Sequence, residues 1–338
     1  MRFFYYDKLD EDRKQFYTAL IEGIRMFKEQ IKAPPSIDRD GLMAAIEAVH
    51  FDHPEFFYVN FHSILYIKYP GYYVYQPTYF YDRDETERRM DQIRSCLQKV
   101  RRKLDASPRK NIYTICGGIH HFLVHNNRYD HEAAADPEPN MYAYTIEGPF
   151  LQGKAVCEGF AMAFRYLCML YRIDALIVTG VSLRPGCKTY ELHAWNIIRQ
   201  GEQCAHVDAT WDLCLTDGRD ETRYDYFFLA DRDMISDHQY VGFPHCNLHD
   251  MSYHERKELR FKSLLELGNF LNKRFADAGR LQTGTRIYLD FRIDFKKDSR
   301  ELSDFTAEKI RSRTRCGFQY SYSVNEAQSV YTFDITIL

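Results

Sequence analysis

No apolar run in this 338-residue chain approaches the roughly 18 residues that a membrane-spanning helix needs. A transmembrane role is therefore not expected. The N-terminus, MRFFYYDKLDEDRK, turns charged after a short apolar patch and lacks the apolar stretch of a secretory signal. Charge of one sign is not in excess. The formal net charge is −3, which leaves no broad basic footprint for nucleic acid or for an anionic lipid surface. The nine cysteines are odd in number and scattered. Their spacing fits neither a disulfide framework nor a zinc ribbon, and free thiols suit a reducing compartment. Internal repeats and low-complexity tracts are also missing. The expectation is a cytoplasmic protein without cofactor or metal. Tryptophan is scarce, with two residues against 26 Tyr and 24 Phe. That much Tyr suits a binding groove and a core equally well, so it selects no ligand.

One stretch, from Gly153 to Asp212, holds the parts of a reactive site. After Cys157, apolar residues recur at Ala161, Phe164, Leu167, Cys168 and Tyr171, which is the spacing of an amphipathic helix. Cys157 falls near the first turn, where unpaired N–H groups and a partial positive charge favour a thiolate. Gly159 lacks a side chain and lets another element approach closely. Further on, 192–199 and 204–210 read as two strands joined at Gln200-Gly201-Glu202. With the turn centred on Gln200-Gly201, His193 lies directly across from Asp208, with Cβ atoms ~5 Å apart on one face. A thiol, an imidazole and a carboxylate are a nucleophile, a general base and an orienting acid. Trp195, two residues on from His193, shares its face.

The blocks VCEGFA, HAWN and HVDATWD, in that order, resemble the transglutaminase-like superfamily. Its core has a papain-like fold, with the Cys opening a helix and the His and Asp on adjacent strands. The resemblance covers roughly Ile112 to His238. It includes YDYFFLADRDMISDH, similar to a segment that follows the triad in bacterial members, and it is preceded by DHPEFFYV, similar to a segment upstream of their core. It implies a nucleophile at Cys157, a base at His193 and an orienting acid at Asp208. Many relatives carry a Tyr-Gly pair just upstream of the Cys, where this chain has Glu147-Gly148. The oxyanion donor is therefore open: the backbone N–H of Cys157 is the default, with Gln152 and the indole of Trp195 as side-chain candidates. Glu158, Glu191 and Trp211 are candidates for the cleft itself.

The expected architecture is α+β. A papain-like transglutaminase core (106–255) lies between an N-terminal helical and hairpin unit (1–105) and a small C-terminal α+β unit (256–338). Helices are expected from Asp10 to Pro34, over 38–50, 86–104 and 111–129, and a hairpin around Pro70-Gly71. A polar loop over 131–141 borders the cleft. The last unit closes with a hairpin over 317–324 and 330–337. His121 and His125 stand four apart on a helix, but no third ligand accompanies them and no HExxH motif is present. His245, Cys246, His249 and His254 match no standard metal spacing and are assigned to surface and loop positions. Two classes of function compete. One is cysteine-dependent acyl transfer on a protein or peptide carboxamide, ending in hydrolysis or in transfer to an amine. The other is a non-catalytic protein-binding module that keeps the fold.

Overall fold

The computed structural model describes residues 3–106, 110–183, 187–276, 282–314 and 317–338. Cys316 lies outside them. Helix and strand are mixed in an α+β arrangement, and among the described residues no helix is long and apolar enough to cross a membrane.

The helix Cys157–Leu170 and one antiparallel sheet form the frame of the site. The sheet orders its strands as His238–Gln239, Asp174–Ser182, Glu191–Gln200, Gln203–Val207 and Phe227–Leu229. The helix buries Phe160, Ala161, Phe164, Leu167 and Cys168 and packs on the two strands at the sheet's centre. Asn196 pins that packing. Buried in the sheet, its amide donates to the helix carbonyl of Ala161 at 3.0 Å and to Leu176 O at 3.3 Å. The Asp174–Ser182 strand, a continuous apolar run, was not expected from the sequence. A short buried run of that kind has no period to identify it.

The hairpin turn is Gly201-Glu202, because Gln200 pairs with Gln203. Gly201 takes φ 65°, which a residue with a Cβ adopts only with strain. The ladder is thus displaced by two positions from the expected register and ends at Asn196↔Val207. His193 and Asp208 are not a cross-strand pair. The chain leaves the sheet at Asp208 and enters the helix Ala209–Thr216, where a strand to Thr210 was expected.

Hydrophobic contacts run continuously from Leu9 through the N-terminal helices to Leu248, and a separate cluster fills the interior between Phe261 and Ile335. The first hundred residues are held to the Cys157 helix by a buried ion pair. Asp52, the last residue of the helix Arg39–Asp52, receives Arg165 Nη2 at 3.4 Å on its carboxylate and 3.1 Å on its carbonyl. Both side chains are 1% exposed. The expected helices are present at Glu11–Arg25, Arg39–Asp52, Arg83–Asp105 and Ile112–His125. Each starts at an Asp or Asn whose side chain accepts a backbone N–H, a strong local start signal. The first of them ends at Arg25, well short of Pro34. Residues 131–141 contain a short helix, His131–Ala135, followed by a 3-10 turn, where a loop was expected. The last unit is a four-stranded sheet closed by the hairpin Phe318–Asn325 and Val330–Ile337.

Replacing Arg165 by Ala leaves the Asp52 carboxylate buried without its cation. Breaking a buried pair from one side costs about 3–5 kcal/mol, and urea unfolding is expected to show a loss of that size. A loss under about 1 kcal/mol would mean that the pair does not hold these helices together.

Candidate active site

Cys157 is the first residue of its helix. Val156 before it is extended, with φ −91° and ψ 175°, and supplies no side-chain cap. The first helical bond runs from Phe160 N to Val156 O, so the N–H groups of 157–159 have no partner within the helix. Gly159 explains how the chain crosses this turn. A Cβ there would sit 2.2 Å from the carbonyl oxygen of Ala143, the atom that also receives Val156 N–H at 3.1 Å. Only glycine permits that crossing.

Asp208 caps the helix Ala209–Thr216. Its Oδ1 accepts the N–H groups of Thr210 at 2.9 Å and Trp211 at 3.1 Å. Its Oδ2 lies 2.6 Å from His193 Nε2 and 3.2 Å from His238 Nε2. One carboxylate, 1% exposed, therefore fixes a helix start and two imidazoles. Burial alone would raise its pKa, but the charge and hydrogen bond of His193, with the bond to His238, hold it well below the usual carboxylate range. The Cys157 side chain lines the same cleft as the His193 ring and helps to raise its pKa. With Nε2 engaged by Asp208, the nitrogen left for the sulfur is Nδ1. Burial pushes His193 down, yet the Asp208 charge and hydrogen bond, aided by Cys157, outweigh it and lift the ring from 6.5 to about 10.

His238 was not singled out from the sequence. Its Nδ1 meets Asp237 Oδ1 at 2.6 Å, and Asp237 Oδ2 accepts Tyr226 OH at 2.6 Å. Asn325, from the C-terminal unit, donates to Tyr226 OH at 3.3 Å and to Asp225 at 3.0 Å. The only sequence signal was the pair Asp237-His238 at the end of a segment read for its resemblance alone.

The side-chain oxyanion candidates do not reach the sulfur. Gln152 is exposed and faces a different hollow, lined by Glu85, Arg89 and Lys99. Trp195 stacks on His193 with ring centroids 5.7 Å apart, but its indole N–H is spent on His206 Nδ1 at 3.0 Å. The N–H groups of 157–159, without a partner among the described residues, remain as candidates for the oxyanion donor. Of the cleft candidates, Glu191 and Trp211 line the space beside Cys157 and His193. Glu158 does not, because its carboxylate turns to His50 and His62. The cleft measures about 510 Å³, and Tyr129, His131 and Leu192 add to its walls. Among the described residues no Lys or Arg lines it.

Other histidines have local partners. His121 and His125 both bond Thr222 Oγ1, at 2.8 and 2.6 Å. The later group is not confined to the surface as expected. Cys246 and His254 are buried, the latter 3.2 Å from Asp290, while His245 is exposed and pairs with Asp231.

Comparison with known proteins gives little to set beside this geometry. No family model matches the chain, and no curated protein does. Among solved structures it is similar to a crystal structure of a TGase, at 15% identity and a TM-score of 0.31. That match covers 54% of this chain and 50% of the other, so it spans about half of the solved protein.

Two outcomes are expected. Cys187 and Cys214 are exposed and Cys157 only partly so, hence accessibility alone would label those two first. Iodoacetamide labelling with peptide mapping should instead find Cys157 fastest near neutral pH, slowed about tenfold or more in Asp208→Asn. Fastest labelling elsewhere would remove Cys157 from the site. The second outcome concerns His193. Its folded pKa is raised, so its contribution to stability is full below 6.5 and is lost as pH rises through about 10. Ring NMR should find His193 still protonated at pH 8, and titration near 6.5 would contradict the pairing.

Proposed function

We propose that the chain is a cysteine-dependent acyl-transfer enzyme with a transglutaminase-like core, acting on peptide or carboxamide groups through a thioester. The observation that carries this reading is the connected set Cys157–His193–Asp208 at a helix start, opening on the cleft. The Cys157 sulfur adds to the carbonyl carbon, and the developing oxyanion is met by the first-turn N–H groups. The C–N bond breaks as the His193 imidazolium gives its proton to the departing amine or ammonia. Water then adds to the thioester, His193 takes its proton, and the acid leaves as the sulfur is released. Asp208 holds the ring in place throughout and steadies its cation.

Hydrolysis is favoured over amine transfer. Water resolves a thioester unless the site excludes it or fixes an amine in attacking geometry. A cleft of about 510 Å³ admits water. Glu191 and Trp211 flank the same space and support the transferase reading, in which the carboxylate receives the cation of a lysine.

The test is a glutamine-containing peptide library, incubated with and without a labelled primary amine. Cleavage or ammonia release should be indifferent to the amine, fall by a factor of about 10³ or more in Cys157→Ala, and fall by about 10²–10⁴ in Asp208→Asn. Efficient Cys157-dependent amine incorporation would select the transferase. No turnover of either kind would favour a binding module built on the same fold.

A further inference from the structure

Among the described residues, three groups of side chains bring metal-ligating atoms within 4.8 Å of one another: His193–Asp208–His238, His206–Asp231–Cys246 and His50–His62–Glu158. The first belongs to the site already described, and its carboxylate is saturated by two backbone N–H groups and two rings. The second is closed by its tautomer. An indole N–H only donates, so Trp195 obliges His206 Nδ1 to accept. Neutral His206 then carries its proton on Nε2, the atom that meets Asp231 at 2.9 Å, and has no lone pair there for a metal.

The third group differs in each respect. His50 comes from the helix Arg39–Asp52, His62 from the turn before the strand Leu65–Tyr69, and Glu158 from the first turn of the Cys157 helix. Both Nε2 atoms converge on one oxygen, Glu158 Oε1, at 2.8 and 2.9 Å. Either ring can hold its proton on Nδ1 and turn a lone pair inward. The group is reachable from solvent, since the His62 side chain is 39% exposed. A cavity of about 10 Å³ beside it is bordered by His50, His62 and Tyr144, about the space of one water molecule.

We infer that His50, His62 and Glu158 form a zinc-binding site whose fourth position is taken by water. Two imidazoles and one carboxylate are a known three-ligand set for zinc with one open position. Ligand bonds of about 2.0–2.2 Å place neighbouring tetrahedral donors roughly 3.3 Å apart. The two contacts to Glu158, at 2.8 and 2.9 Å, need to open by only about 0.4–0.5 Å to reach that spacing, within the reach of side-chain rotation. The histidines stand 108 and 96 positions from Glu158, so no sequence spacing announces the set. Bound zinc would clasp the N-terminal helices to the residue that follows Cys157. The inference does not depend on the proposed reaction.

The full chain, stripped with chelator and then loaded with zinc, should keep one equivalent through gel filtration, measured by elemental analysis. It should also unfold at a higher temperature with zinc than without. Cobalt in its place should give visible ligand-field bands and no thiolate-to-cobalt charge-transfer band, because the ligands are nitrogen and oxygen. His62→Asn and Glu158→Gln should each weaken binding by more than the roughly 10–100-fold that loss of a supporting residue alone causes. His62 is the more exposed of the two, and circular dichroism without metal checks that its variant folds. Any of four results overturns the inference: no zinc retained, retention unchanged in both variants, a charge-transfer band marking thiol ligands, or loss confined to His238→Asn. Labelling of Cys157 reports on the catalytic reading separately.

Discussion

The Asp208 carboxylate is the contact on which the site depends. It is buried and ionised, and it meets four donors at once: two backbone N–H groups that start a helix, and two imidazoles. The desolvation cost of such a charge is large, and only full hydrogen bonding offsets it. The cap sets where the chain turns out of the sheet. That turn sets the direction of the carboxylate, which in turn fixes His193 and leaves its second nitrogen for the sulfur. Asn196 completes the frame from the other side by tying the Cys157 helix to the strand that carries His193. Cys157 and His193 thus stand on different elements tied by a buried amide.

Much of this was legible in the sequence, for reasons that can be named. The Cys157 helix announces itself through its apolar spacing. The meeting of His193 and Asp208 survived a register error because the ladder is displaced by two positions, and side chains alternate faces with a period of two. A displacement by one would have separated them. What the residues did not reveal was the change from strand to helix at Asp208, although Asp followed by Ala-Thr is a fair capping signal. His238 was hidden for a different reason. It reaches Asp208 from 30 positions away, and no periodicity or motif encodes such a contact. Burial also reassigned Glu158, whose neighbours come from the N-terminal helices, and no reading of the core alone would supply them.

The C-terminal unit has its own hydrophobic cluster but is not separate from the cleft. Asn325 borders the cleft and bonds Tyr226 and Asp225, while Gln328 donates to the carbonyl of Asp233 at 3.1 Å. The Gln328 amide also lies 3.5 Å from both oxygens of Asp237, the acid that meets His238. Partly satisfied buried networks are costly, and complete ones specify a single arrangement. Here Asn325 reaches Asp225 from about a hundred residues downstream, while Gln328 Oε1 is buried with no hydrogen-bond partner among the described residues.

The scarcity of tryptophan has a spectroscopic consequence. Both indoles of the chain touch the same ring: Trp195 lies stacked on His193, and Trp211 stands edge-on to it with centroids 6.2 Å apart. His238 is nearer still, its ring centroid 5.0 Å from that of Trp195 and 4.8 Å from that of Trp211, so all tryptophan emission originates beside this pair of imidazoles. A protonated imidazole quenches an excited indole more strongly than a neutral one does. The intrinsic fluorescence of this protein is thus a built-in optical readout of the two imidazoles on Asp208, sensitive to their charge and to whatever enters the cleft beside Trp211, without any label attached.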